Sequence, residues 1–432
     1  MTKQQKNFET LQIHAGRQTD PTTKACATPI YQTAAYGFDS DQHAVNLFEL
    51  KEFGNIYTRI MNPTSDVFEQ RIAALEGGVA ALAVSSGHAA QFIALTNILS
   101  VGDNFISSPY LYGGSYNQFN TTFKRIGIDC RFADSLEPDQ FEKLIDENTK
   151  AIYFETIGNP GFKIPDFEAL VALAKKHDLP VIVDNTFAGG GYLCRPIEWG
   201  ANVVVESATK WIGGHGTSIG GVIIDGGNYN WGNGKFPDFQ GDPNDDHAMN
   251  FAETFGVGSN FGNIAYIIKA RVEGLRDYGT SISPFNSFLL AQGLETLSLR
   301  MERHVGNTLA LAEWFDKHPA IESVNYPGLK SSPDYDLAKK YLPNGAGGVL
   351  TVNVRGGRDA AKRVVENVEL AQHLANVGDT KTLIIQPATT THHQMDEAAQ
   401  LKAGVHPAML RISVGLEHIE DIIADFEQAL NA

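Results

Sequence analysis

A lysine set among hydroxyls and glycines is the first place where this sequence promises chemistry. In "ESATKWIGGHG", residues 206–216, Lys210 follows the run "VVVE" and stands three residues after Ser207 and one after Thr209. A lysine against an apolar wall loses hydration, its pKa falls, and the neutral amine becomes a nucleophile or a base. The common fate of a lysine is a solvated turn, so the stretch gains meaning only from its company. "VIVDNTF" ends an apolar strand in Asp184, a carboxylate that needs a partner or rises in pKa. A helix cap or an ion pair would satisfy it, and so would a cationic heterocycle. "AVSSGHAA" places Ser85, Ser86 and Gly87 at a strand-to-helix turn, where free amides can take an anion such as phosphate. Ser86 serves equally as a plain N-cap. "LYGGSY" offers Tyr112, whose ring stacks on a flat cofactor or simply packs. Together these are the parts that hold pyridoxal phosphate. Amides and hydroxyls cradle the phosphate, a lysine forms the Schiff base, and an aspartate keeps the pyridine nitrogen protonated so that the ring accepts electrons.

Such residues need strands and helices to place them. From about residue 63 the pattern alternates. "SDVFEQRIAALEG" has helical spacing and stops at Gly77-Gly78. "VAALAVSS" predicts a strand, "GHAAQFIALTNIL" a helix, "NFISSP" a strand and "GGSYNQFNTTFKRIG" a helix. "AIYFETI", "PVIVDNT" and "NVVVESATK" predict strands, with the helix "DFEALVALAKKHD" among them. Short apolar strands alternating with helices predict an α/β fold with a mainly parallel, buried sheet. In such sheets ligands sit outside the carboxyl ends of the strands.

The flanks differ. Residues 1–62 mix aromatics with turn formers and predict an arm that packs on something else, such as another subunit. The Gly/Asn/Asp/Pro-rich stretch from about 226 to 260 predicts a long loop or insertion. After it, "NSFLLAQGLETLSLRMERHVGNTLALAEWFDKH" predicts one or two long helices. Strands in "GVLTVNVRG", "TLIIQP" and "MLRISVGL" predict a smaller α+β domain. The division expected is an arm over 1–62, a cofactor-binding domain over 63–280 and a C-terminal domain over 281–432.

Composition removes other classes. A net charge of −16 over 432 residues argues against nucleic acid as a partner, which demands a basic footprint. There is no apolar run of membrane length and no apolar leader at the N-terminus. Three scattered cysteines, Cys26, Cys130 and Cys194, fit a reducing cytoplasm and no disulfide or thiolate metal site. In "THHQ", His392 and His393 would face opposite sides of a strand, so no metal site is expected. No G-x-G-x-x-G follows the first strand, which removes a dinucleotide site.

The motifs "YTRIMNPT", "SSGHAA", "YGG", "VDNTF", "SATKWIGGHG" and "LRISVGLE" resemble those of the pyridoxal-phosphate enzymes of cysteine and methionine metabolism. The resemblance runs nearly end to end. It implies an aspartate-aminotransferase-like architecture (fold type I), with Lys210 as the Schiff-base lysine and Asp184 on the pyridine nitrogen. Ser207, Thr209 and the amides of Gly87 and His88 would hold the phosphate. Tyr112 would stack on the ring and assist as an acid or base. Tyr57 and Arg59 would reach the phosphate of a neighbouring subunit in a homotetramer built as a dimer of dimers. Asn159 would approach the ring hydroxyl and the substrate, Arg411 would bind the substrate carboxylate, and Asn376 would lie beside it.

Within the family, "RDYGTSISPFNSFLLAQGLETLSLRMERH", "LANVGDTKTLIIQPATTTHHQ" and the 226–260 loop are similar to the branch that joins O-acetyl-L-homoserine and sulfide into L-homocysteine and acetate. Family γ-lyases carry a cysteine where this chain has Gly114 and a serine where it has Asn376, which lowers the lyase reading. A cystathionine γ-synthase type of activity, an O-succinylhomoserine preference, γ-elimination and an inactive descendant are the alternatives.

Overall fold

The computed structural model describes residues 6–241, 248–391, 393, 400–401 and 404–432. Their strands form a mostly parallel sheet of seven and a smaller sheet of five. The seven are β1 (Ala80–Val84), β2 (Asn104–Ser107), β3 (Asp129–Phe132), β4 (Thr149–Glu155), β5 (Val181–Asp184), β6 (Val203–Glu206) and β7 (Gly221–Asp225). The five are β8 (Ile321–Asn325), β9 (Val349–Val354), β10 (Gln372–His373), β11 (Leu383–Ile385) and β12 (Met409–Ser413). The chain divides into two compact units, each built from separate stretches. One comprises Met1–Leu99, Asn202–Thr209 and Thr217–Glu295; the other comprises Ser100–Ala201, Lys210–Gly216 and Thr296–Ala432.

In the first unit, β7 runs antiparallel to both β1 and β6. The strand "GVIID" was not expected, because glycines on both sides merge it with the loop that follows. Helix Pro63–Glu76 starts on a proline after Asn62, whose side chain accepts the Thr64 N–H at 2.9 Å. It stops at Gly77, whose φ of 78° is the left-handed conformation that glycine adopts freely. Glu69 on this helix joins it to the sheet: one carboxyl oxygen takes the Ala83 N–H at 2.8 Å, the other meets Arg271 at 2.6 Å. The N-terminal arm carries short helices, Phe8–His14 and Asp41–Phe48.

The described part of the 226–260 stretch is more than the long loop expected. Trp231 is fully buried and stacks on Phe239 at 5.2 Å and on Tyr266 at 4.8 Å, with Lys269 over the Phe239 ring. Its polar, glycine-rich composition hid an aromatic anchor, whose burial supplies the stability that regular structure does not.

In the second unit β5, β4, β2 and β3 lie side by side, all parallel. Their centres are apolar and buried, as at Phe105, Ile152, Phe154 and Ile182, because strands covered on both faces require it. Helix Phe167–Lys176 is capped by Asp166 and ends in Lys175 and Lys176, charges that suit the two ends of the helix dipole. The helix beginning at Gly113 continues as a wider, π-helical turn over Gln118–Phe123. The smaller sheet has the order β10-β11-β12-β9-β8, with β12 antiparallel to β9 and β11. Strands β3, β8 and β10 were not foreseen; β3 and β8 are short and carry charged or polar residues at their ends. Of the one or two long helices expected after residue 280 there are two, Pro284–Leu294 in the first unit and Leu297–Phe315 in the second.

Candidate active site

In the second unit, six of the residues singled out by the sequence come together. Lys210 is the first residue of a turn whose Gly214 N–H donates to the Lys210 carbonyl at 2.7 Å. The same turn is held from helix Leu297–Phe315, where buried Arg300 donates to the carbonyls of Trp211 (2.7 Å) and Ile212 (3.3 Å). A side chain at Gly214 would overlap that guanidinium. From the other side, Gly378 packs so tightly that a methyl there would stand 2.8 Å from the Trp211 ring. Its N–H donates to Ser413 Oγ on β12 at 2.9 Å. The loop carrying Lys210 is therefore fixed on both sides.

The half-buried Lys210 Nζ donates to Asn376 Oδ1 at 2.6 Å. Burial, and then the positive charge of Arg411, push the Lys210 amine down to about 8. Arg411, on β12, is buried, and its Nη1 reaches Asn159 Oδ1 at 3.4 Å. Loss of hydration pushes its guanidinium down to about 10, while Tyr112 acts in the opposite direction. Arg411 is nonetheless cationic at any ordinary pH, so the neighbourhood favours a free amine at Lys210 and an anion beside Arg411.

Asp184 closes β5. Its Oδ1 accepts the Thr186 N–H at 2.9 Å, the turn cap anticipated as its plain role, and the Tyr153 hydroxyl lies 3.5 Å from Oδ2. Tyr112 precedes the helix starting at Gly113, and its own N–H donates to Glu155 Oε1 at 2.6 Å. Glu155, Arg300 and Gly378 were missed by sequence reasoning. Glu155 had a signal: an acid ending the apolar strand "AIYFE", as Asp184 ends "VIVD". Arg300 had none, since an arginine on a helix reads as a solvated charge.

The first unit holds the remaining candidates. Ser86 caps helix Gly87–Thr96 through the Ala89 N–H at 3.1 Å, its plain role. Gly87 lies so close to Ser207 that an added methyl would stand 2.7 Å from its Cβ and 2.9 Å from its Cα. His88 follows in the first helical turn. Thr209 is locked to Gly220: its Oγ1 donates to the carbonyl at 3.2 Å and accepts the Gly220 N–H at 3.1 Å. Tyr57 and Arg59 stand apart from these. They line a hollow of about 420 Å³ with Gln32, Thr33, Ala34, Thr58 and Ser281. There Arg59 lies over the Tyr57 ring at 5.6 Å and donates to the Arg276 carbonyl. Of the two adjacent histidines, His392 lies outside the described residues; His393 Nδ1 meets the Thr390 carbonyl at 2.7 Å. Among the described residues no group of three His, Cys, Asp or Glu side chains has the arrangement to hold a metal.

In the second unit a half-buried amine of lowered pKa stands with a buried arginine, groups suited to a carbonyl compound and to an anion. The chain belongs to the Cys/Met metabolism PLP-dependent enzymes, whose family model matches residues 9–431. It is 53% identical to O-acetyl-L-homoserine sulfhydrylase 1 of Thermus thermophilus, over 98% of this chain and 99% of that protein. It is likewise 53% identical to homocysteine synthase of Schizosaccharomyces pombe, over 100% and 99% of the two chains. Among solved structures it is similar to an assigned O-acetylhomoserine (thiol)-lyase of Campylobacter jejuni, which contains N'-pyridoxyl-lysine-5'-monophosphate. That similarity has a TM-score of 0.93 at 40% identity, over 99% of this chain and 100% of that one.

The residues present fit pyridoxal phosphate. In the first unit Gly87 opens a helix, whose N-terminus suits an anion, so close to Ser207 that a methyl would stand 2.7 Å from its Cβ. In the second, Lys210 offers an amine near neutrality for a carbonyl, and Asp184 a carboxyl for a pyridinium.

Proposed function

We propose that this enzyme converts O-acetyl-L-homoserine and sulfide into L-homocysteine and acetate. The observation that carries the reading is Lys210: a half-buried amine brought down to about 8, seated on Asn376, with buried Arg411 beside it. Relatives of about half identity over their full length, named as O-acetylhomoserine sulfhydrylases and homocysteine synthases, support the choice of substrate.

Pyridoxal phosphate, when bound, supplies an electron sink that stabilises negative charge on the substrate carbons near the amino group. In this reading Lys210 would anchor it, Asp184 would pair with its pyridine nitrogen, and Tyr112 would stack on its ring. Ser207, Thr209 and the amides of Gly87 and His88 hold its phosphate. Arg411 binds the substrate carboxylate through two parallel N–H groups, as a planar guanidinium does well. Asn159 orients Arg411 and the substrate. The released Lys210 amine takes the proton from the α-carbon and later returns one, which its lowered pKa suits. Asn376 receives the resulting ammonium. Acetate is a far better leaving group than hydroxide, which is why an ester is required. Tyr112 assists as an acid or base close to the reacting carbons.

The same reading gives residues 1–62 to an arm, 63–280 to cofactor binding and 281–432 to substrate binding. It places Tyr57 and Arg59 at the cofactor of a neighbouring subunit in a homotetramer, in the cytoplasm. No helix among the described residues is long and apolar enough to cross a membrane.

The test offers purified enzyme sulfide with O-acetylhomoserine and O-succinylhomoserine in parallel. Faster homocysteine formation from the acetyl ester is expected. Preference for the succinyl ester, or release of 2-oxobutyrate without homocysteine, would overturn the assignment.

A further inference from the structure

Glu155 is a buried acid that the mechanism above leaves unused. It ends β4 and pairs in register with Asp184 at the end of β5. Partners in register on parallel strands point to the same face, so two carboxyls stand side by side. Glu155 is only 6% exposed. Its Oε1 accepts the Tyr112 N–H at 2.6 Å, and its carboxyl also accepts the backbone N–H of Asn159. One side chain thus grips two segments, the one that follows β2 and the one that follows β4. The first carries the Tyr112 ring, and the second carries the Asn159 side chain that meets Arg411.

Burying a carboxyl is costly unless it is hydrogen-bonded. Here its hydrogen bonds go to the backbone of two residues that the proposed reaction uses. We propose that Glu155 is a positioning residue for that reaction: by holding the Tyr112 and Asn159 amides on one carboxyl, it sets where the Tyr112 ring and the Asn159–Arg411 pair stand. The proposal rests on the function given above.

Charge supports the geometry. Burial first, and then the charge of Asp184, push the Glu155 carboxyl well above the usual carboxylate range. Two further buried titratable groups of this part of the sheet are Tyr153 on β4 and Cys130 on β3. Burial pushes both well up, so neither places a charge beside Glu155. Burial and the neighbouring carboxylate thus both work against a charge on Glu155. A primary amide keeps the length of this side chain and a carbonyl acceptor for the Tyr112 N–H, which makes glutamine the closest substitute. Aspartate keeps the acid but is one methylene short of gripping both segments.

The experiment compares Glu155→Gln, Glu155→Asp and Glu155→Ala as holoenzymes loaded with pyridoxal phosphate. Visible circular dichroism of the bound cofactor is recorded without substrate, then kcat and KM for O-acetylhomoserine. Glutamine should keep the band and kcat/KM close to the parent. Aspartate and alanine should weaken the band and lose about tenfold or more in kcat/KM, because small displacements of positioning groups are amplified in rate. Failure of the glutamine variant, or parental behaviour of the aspartate variant, overturns the proposal. Should alanine not fold, the glutamine–aspartate contrast decides alone. The dichroism needs no substrate. A parent that formed no homocysteine would defeat the proposed function and leave Glu155 to be judged by the band.

Discussion

The turn after β1 and the cluster around Lys210 follow opposite design rules. The first is made of backbone. Gly87 and Gly221 bring main chain so close that a methyl on Gly221 would overlap the Ser86 carbonyl, and one on Gly87 would press on Ser207. The second is made of side chains that carry charge against their environment. Lys210, Arg411 and Glu155 are each displaced from their ordinary pKa by burial above all. A backbone cradle fails when an atom is added, and a charged cluster fails when one is removed. That contrast yields predictions for each region.

The largest effect is expected at Lys210. Lys210→Ala removes both the anchor for the cofactor carbonyl and the base, so kcat should fall by at least about 10²–10⁴-fold. Borohydride should no longer fix cofactor to the chain. Covalent fixation in the variant would show that another lysine is the anchor. Arg411 comes next. Losing hydrogen bonds to a charged group costs about 1.5–3 kcal/mol, so Arg411→Ala should raise KM for O-acetylhomoserine by about tenfold to a hundredfold. Arg411→Lys should recover only part, because an ammonium lacks the planar fork. A KM unchanged in both variants would remove Arg411 from substrate binding.

The turn after β1 should show the reverse sensitivity. Gly221→Ala adds one carbon and removes nothing, yet its new methyl meets main chain that has no rotamer to escape into. Overpacking of this kind costs about 1–3 kcal/mol. Thermal unfolding should shift down, and cofactor should be lost on dialysis more readily than from the parent. A fully stable Gly221→Ala enzyme with undiminished cofactor would mean that the cradle has slack, and the contrast between the two regions would collapse.

How much of this was legible depends on what each residue had to show. Lys210, Asp184 and Tyr112 stood out because reactive or polar groups end apolar strands, and in a parallel sheet those ends converge. Their second neighbours were harder. Glu155 carried the same signature as Asp184, but only the register Glu155↔Asp184 reveals the two acids as a pair. Arg300 is a helix arginine, and nothing local says that its guanidinium turns inward to the carbonyls of Trp211 and Ile212. The alternation of strands and helices was readable through most of the large sheet. It broke at β7, where five residues between glycines look like loop. It broke again at residues 226–260, where Trp231 is one aromatic among polar residues and its stack with Phe239 and Tyr266 exists only in three dimensions.

The smallest predicted effect bears on why the Lys210 amine is free near neutrality. Burial is the larger cause of its lowered pKa and Arg411 the lesser. Only the neutral amine attacks a carbonyl, so uptake of pyridoxal phosphate by the apoprotein should accelerate as pH rises through about 8 and then level off. Arg411→Gln removes a positive charge that disfavours the ammonium. Lys210 then holds its proton more firmly, and the midpoint must move to higher pH. It should remain below the ordinary lysine value of 10.5, because the burial persists. The cofactor's own titration is common to both proteins and cancels in the comparison. A midpoint that stays in place would mean that burial alone tunes the amine and that Arg411 acts only on substrate. A downward move would contradict the charge argument itself, since no removal of a neighbouring cation can by itself make an ammonium more acidic.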